Sequence, residues 1–191
     1  MLILNIPTAD KLRKRDAFVE ELIEQMARGN ISAMGELYKL IGTDIYAYAL
    51  SKTANKEDSE DITHDTFVRV WKYAAKYKPI GKPLAWIFTV EMNLIRKQFD
   101  RKQKIISLDE TIKDDANAED FTESIINNEF IRQIFKTLKE DEREIISLHV
   151  VSGLKHREIA RLLEKPLSTV LSKYNRAIKK LQIEITNKED R

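Results

Sequence analysis

The chain contains no cysteine. That excludes disulfides, thiolate zinc centres and thiol redox sensing, and it is compatible with a reducing cytoplasm. Glycine and proline are scarce, five and four among 191 residues. Such a chain is short of the turn residues a strand-rich fold needs, and it favours helix. No run alternates with the period of a half-buried strand. Long apolar runs are missing as well. The start, MLILNIPTAD, is too short to cross a bilayer and has no basic segment ahead of it, so neither membrane insertion nor a signal peptide is expected. There is no phosphate-cradling glycine loop, no nucleophile paired with a base in a recognisable pattern and no metal quartet, so the expectation is a non-enzyme without cofactor. A large net charge is also absent, the balance being +2.

What the chain does have is charge sorted into blocks. From Arg69 to Lys104 the cations Arg69, Lys72, Lys76, Lys78, Lys82, Arg96, Lys97, Arg101, Lys102 and Lys104 are opposed by Glu91 and Asp100 alone. From Ser107 to Glu129 the sign reverses, and from Lys155 to Lys180 it is basic again. Two basic blocks around an acidic spacer fit two nucleic-acid contacts on one chain.

Helical periodicity organises the rest. Val19, Leu22, Ile23 and Met26 share a face, and Gly29-Asn30 can end their helix. Ser32 is placed to cap the next helix, and Asn55 or Asp58/Ser59 to start a third with an acidic first turn. Lys78-Pro79-Ile80-Gly81-Lys82-Pro83 breaks the pattern before a fourth helix from about Leu84 to Lys104. Beyond an acidic linker, a helix is expected over Ala118–Leu138, then segments at Glu140–Val151, Lys155–Leu163 and Leu167–Ile185. On the last, Val170, Tyr174, Ala177 and Leu181 form one stripe that should face inward. Two short helices joined by a tight turn, the second basic on its outer face, describe a helix-turn-helix. The expected fold is therefore all-α, with two helical domains. The first is residues 1–104, the linker 105–120, and the helix-turn-helix domain 121–191.

The acidic start of the third helix, Asp58, Glu60, Asp61 and Asp65 with His64, fits three readings. It is a solvated helix start, a metal-ligand group, or an acidic face for docking a protein. The metal reading would make the chain a helical metal-dependent hydrolase, but no second ligand cluster completes it.

Glu60-Asp61-Ile62-Thr63-His64-Asp65-Thr66-Phe67-Val68-Arg69-Val70-Trp71 resembles E-D-L-T-Q-E-T-F-L-R-V-W, the helix by which the extracytoplasmic-function (ECF) group of bacterial sigma factors grips RNA polymerase. Pro83–Leu94, PLAWIFTVEMNL, resembles the family's F-R-A-W-L-Y-R-I-A-R-N-L. Gly153–Ala160, GLKHREIA, resembles G-L-S-Y-E-E-I-A, and Ser168–Ala177 resembles G-T-V-R-S-R-L-x-R-A. The resemblance implies partners: the polymerase core, met at a coiled coil of its largest subunit and a flap of the second largest, promoter DNA, and a possible anti-sigma factor. It implies that Asp61, His64 and Asp65 dock on the core. Lys78, Lys82, Asn93, Arg96, Lys97, Arg101 and Lys102 would meet the separated minus-ten strand, with loop Tyr77–Pro83 and Asn93 forming a pocket for an extruded base. Arg157, Thr169, Ser172, Lys173 and Arg176 would meet the minus-thirty-five element in the major groove, while Arg161, Lys179 and Lys180 fit phosphates.

The chain also departs from the family pattern. Glu91-Met92 replaces Ala-Arg, and Glu91 would repel phosphate if it faced the strand. Leu171 stands where a cation is usual, removing a guanine contact worth roughly 1–3 kcal/mol of discrimination. Glu164 replaces the turn glycine. These departures sustain an alternative, a sigma-like DNA-binding regulator that does not engage polymerase. The acidic linker fits either a nucleic-acid mimic in a basic channel or a charged spacer.

Overall fold

Polar residues just ahead of the apolar stripes start the helices. The computed structural model describes residues 9–106 and 137–189. Helix α1 (Ala9–Ala27) closes at Gly29, which takes the left-handed conformation at φ +87°. Asn30, not Ser32, caps α2 (Ile31–Thr53). Its backbone is extended, and its side chain accepts the Ser32 N–H at 3.0 Å, so Ser32 falls inside the first turn. A cap must sit outside the helical backbone, and Asn30, directly after the Gly29 reversal, is the residue that does. Asn55 caps α3 (Lys56–Tyr73) by accepting from the Asp58 N–H at 3.0 Å, and Glu57 and Asp58 occupy the positive end of the helix. α3 tightens into a 3₁₀ turn at Ala74–Lys76. Pro83 then opens α4 (Pro83–Ile106), where its missing N–H costs nothing.

The C-terminal unit is built from shorter pieces. α5 (Glu140–Ile146) widens into a π turn over Ser147–Val151, where the periodicity predicts a continuous helix. α6 (His156–Leu162) and the long α7 (Leu167–Glu189) follow. Glu142 and Glu158 reach back to accept from the N–H groups of Lys139 and Lys155, at 3.1 and 3.0 Å, closing the starts of α5 and α6. The turn between α6 and α7 places Glu164 at φ +53°, the backbone a glycine would adopt without strain. Ile105 and Ile106, expected in the linker, extend α4, and the rest of the expected linker and nearly all of the expected helix Ala118–Leu138 lie outside the described residues.

The apolar stripes are buried largely as their spacing predicts, with Tyr174 of the last stripe only half-buried. Leu22, Ile23, Leu37, Ile41, Ile45, Phe67, Val70, Ile87 and Phe88 fill the N-terminal bundle, with Tyr48 edge-on to Phe88 at 5.6 Å. Fully burying one such side chain is worth about 1.5–3 kcal/mol over leaving it exposed. Val170, Ala177 and Leu181 are buried on α7, as their stripe requires.

The two units do not keep separate cores. Ile145, Leu148, Leu154, Ile159, Leu162 and Leu163 join the cluster built by α1 to α4, and Leu138, Ile146, Ala177 and Leu181 form a smaller one beneath α7. Polar contacts seal the junction. Glu144 of α5 accepts from the Tyr48 hydroxyl at 3.2 Å and faces Lys52 at 3.4 Å, and Lys52 also pairs with Glu140 at 2.8 Å. Gly153, at φ +76°, lies so close to α1 that a Cβ there would stand 2.6 Å from Leu12 Cδ2.

Candidate functional site

On α3 the side chains of Asp61, His64 and Asp65 are all exposed. Their i, i+3, i+4 spacing puts them on one face. The buried face of the same helix, Ile62, Thr66, Phe67 and Val70, fixes that orientation. Gln98 of α4 donates to Asp58 at 2.6 Å and holds α4 against the start of α3. The result is a groove of about 380 Å³ lined by Asp61, Asp65, Arg69, Lys97, Gln98 and Arg101. Two sets of residues expected to meet different partners thus share one groove. His64 lines a second groove, between α2 and α3, with Tyr38, Tyr46 and Thr63. Tyr38 is 54% exposed and packs on Phe67 at 4.9 Å; no charge pattern had singled it out. Among the described residues no group of three His, Asp or Glu side chains could hold a metal ion.

On α4, Asn93, Lys97 and Arg101 fall on one exposed stripe and Arg96 beside it. The side chain of Lys102 lies outside the described residues. Trp86 is half-buried, and Phe88 and Leu94 are core. Glu91 is fully buried and points away from any strand bound on the outer face. Both its carboxyl oxygens lack a hydrogen-bond partner. Burial pushes its pKa well above the usual carboxylate value.

Loop Tyr77–Pro83 leaves Lys78, Pro79 and Ile80 exposed. Lys82 is drawn toward Glu158 of α6 at 3.7 Å, and Arg96 faces Glu164 at 4.0 Å. Two expected minus-ten cations are therefore matched by acids of the C-terminal unit. No local signal marks these partners, which lie far away in the chain.

On α7, Ser172 and Arg176 are exposed and Thr169 half-buried, while Arg157 is exposed on α6. Lys173 leans the other way and is bound by Asp141 of α5. Lys180, two turns on, pairs with Glu142 at 2.6 Å. Burial works to raise the Glu142 carboxyl, but the Lys180 bond and the Lys139 amide overcome it and hold it below its usual range. These lysines tie α7 to α5. Arg161 and Lys179 stay exposed, and Leu171 is 39% exposed on the same outer side.

Inside the same unit His149 stacks on His156 at 4.0 Å, and both rings stand edge-on to Tyr174. His149 Nδ1 lies 2.7 Å from the Leu154 carbonyl oxygen. Burial, then the neighbouring His149, lower the pKa of His156.

Two regions of one family match this chain: Sigma-70 region 2 over residues 37–105 and Sigma-70, region 4 over residues 131–181. Similar proteins include the ECF RNA polymerase sigma factor BldN of Streptomyces coelicolor, 25% identical over 181 residues, covering 92% of this chain and 67% of the relative. The ECF RNA polymerase sigma factor SigK of Mycolicibacterium vanbaalenii is 24% identical over 187 residues, covering 93% of this chain and 94% of the relative. Among solved structures, RpoE in complex with the anti-sigma factor NepR from Bartonella quintana superimposes with a TM-score of 0.61 at 19% identity, covering 82% of this chain and 98% of that one. CnrH in complex with the cytosolic domain of CnrY gives 0.59 at 24% identity, covering 89% and 98%. At these identities the two structures share the fold. No described helix is long and apolar enough to cross a membrane.

Proposed function

The chain belongs to the sigma-70 family, in its ECF group, and from that premise we propose which of its faces carry the work and in what order. It directs core RNA polymerase to specific promoters and assists promoter melting at initiation. Its partners are the core enzyme and promoter DNA. Sigma factors are non-catalytic initiation factors; nucleotidyl transfer belongs to the polymerase, and the cytoplasm is the proposed site of action.

The exposed face Asp61–His64–Asp65 is the proposed dock for the coiled coil of the largest core subunit. The stripe Asn93, Lys97 and Arg101, with Lys78, Lys82, Arg96 and Lys102, is the proposed minus-ten surface. Separated strands offer phosphates to its cations and unstacked bases to the loop before α4. Arg157, Thr169, Ser172 and Arg176 form the proposed minus-thirty-five surface, with Lys173 joining once Asp141 releases it. The proposed domains are 1–104 and 121–191, joined by an acidic linker. Since RpoE is held by an anti-sigma factor in the similar structure, an anti-sigma partner is proposed here too.

One observation supports an order of events. The docking residues stand in solvent, whereas Lys82 and Arg96 face Glu158 and Glu164 across the junction. Core docking comes first, and separation of the two units then releases Lys82 and Arg96 for DNA. The test is capture of the host's core polymerase by the chain, wild type against Asp61→Ala/Asp65→Ala. Capture should fall by at least about thirtyfold, the scale of losing buried charge contacts at an interface, with the helical circular dichroism unchanged. A well-folded wild type that captures no core would replace this reading with that of a DNA-binding regulator.

A further inference from the structure

The loop between α3 and α4 is a poor base reader on its own. Its tip, Lys78 to Gly81, is exposed and belongs to no helix. A free loop of that kind samples many shapes, and holding one shape costs backbone entropy. Reading one extruded base requires that the shape be held before the base arrives.

Glu20, half-buried on α1, holds it. The Tyr77 hydroxyl donates to Glu20 Oε1 at 2.7 Å, and the Gly81 backbone N–H donates to the same oxygen at 2.8 Å. One carboxylate oxygen thus gathers both ends of the loop onto a helix 57 and 61 residues earlier in the chain. The Tyr77 ring packs against Trp86 at 4.9 Å, so the anchor also rests on the first turn of α4. Gly81 sits at φ +69° with nothing within 4 Å of a Cβ position. The glycine is there for its backbone shape, which turns the amide toward Glu20, and not for lack of room. Burial, then the Glu20 hydrogen bond, push the Tyr77 hydroxyl above its usual pKa, so it stays a donor throughout the physiological range.

We infer that Glu20 is a positioning residue for base recognition: by accepting from both Tyr77 and Gly81 it fixes the loop in the shape that receives an extruded minus-ten base. Glu20 itself touches no DNA. The inference rests on the proposed reading of this loop as the base pocket. No motif singles Glu20 out, since by sequence it is an ordinary acid on a charged helix.

The test uses holoenzyme reconstituted from the full chain and its host's core. The probe is single-stranded DNA randomised across the minus-ten region, with sequencing of the bound fraction. Wild type and Glu20→Gln, which keeps an acceptor oxygen, should show the same base preference. Glu20→Ala should flatten the preference at the extruded position by about tenfold, the scale of two ordinary hydrogen bonds lost together, with core affinity and circular dichroism unchanged. Tyr77→Phe should flatten it partly. A loop-tip variant, Lys78→Ala/Ile80→Ala, separates the two layers of the argument. If the tip variant loses preference while Glu20→Ala keeps it, the loop reads bases and Glu20 does not position it. If neither loses preference, the loop is not the reader and both ideas fall. Loss of core affinity in Glu20→Ala, or Glu20→Gln behaving like Glu20→Ala, also overturns the positioning role.

Discussion

Asp61, His64 and Asp65 stand in solvent on α3, while in the C-terminal unit Lys173 is held by Asp141, and Glu158 and Glu164 face Lys82 and Arg96 of the first unit. The two halves also differ in construction. The N-terminal unit buries long stripes on helices of 18 to 24 residues. The C-terminal unit has two helices of seven residues and completes its core by leaning on α2 and α4. Short helices are marginal alone. The unit proposed to read duplex DNA is therefore the one that depends on a neighbour, and in this form the neighbour is the other half of the chain. Exchanging that neighbour for polymerase would free Lys82 and Arg96 from Glu158 and Glu164.

The largest way to break the comparison is Glu144→Ala. It removes the acceptor of the buried Tyr48 hydroxyl, leaves Lys52 with Glu140 alone, and should destabilise the closed form by about 2–3 kcal/mol. A lower Tm and a rise in distance between fluorophores on α2 and α7 would report it. Next is Gly153→Ala, which forces a side chain into a left-handed backbone facing Leu12. A loss of about 1–2 kcal/mol is expected in chemical denaturation.

Titration sharpens the contrast, because the two units carry buried groups of opposite preference. The folded pKa of Glu91 is raised above its ordinary 4.5 by burial. The associated stability is present below that pH and lost as pH rises toward the folded value. Glu91→Gln should therefore raise Tm at neutral pH, with a gain that shrinks on acidification. His156 has a folded pKa below its ordinary 6.5, through burial and then His149. Its stability is present above 6.5 and lost as pH falls through the folded value. Thermal melts across pH of Glu91→Gln and of His156→Gln, each against wild type, should separate the two effects. The smallest change is Glu164→Gly, which relieves the φ of +53° and loses a 4.0 Å exposed pair. The net gain should be about 0.5–1 kcal/mol.

Much of this architecture could be read in the sequence. Asn55 before an acidic turn, Pro83 after a broken pattern and the Val170–Ala177–Leu181 stripe each carry a local cause, and each is where its spacing put it. Asn30 and Ser32 were separable only by backbone conformation, since both are good caps. The π turn at Ser147–Val151 has no period of its own to announce it. The long-range partners were not legible at all. Glu20, Glu144 and Glu158 look like solvated acids on charged helices and Glu164 like a turn residue, and their roles arise from which surfaces the fold brings together. Glu91 shows the reverse limit: its charge suggests solvent, yet its position on α4 turns it into the core.

The most direct test is fluorescence anisotropy of one labelled promoter duplex, recovered by selection with reconstituted holoenzyme. It is titrated with the free chain, with the chain plus core, and with Asp61→Ala/Asp65→Ala plus core. The account predicts weak binding by the free chain, tight binding once core is added, and little gain from core in the double variant. A free chain that binds the duplex as tightly as the holoenzyme does would contradict it, because releasing Lys82 and Arg96 through polymerase docking would then add nothing to DNA binding.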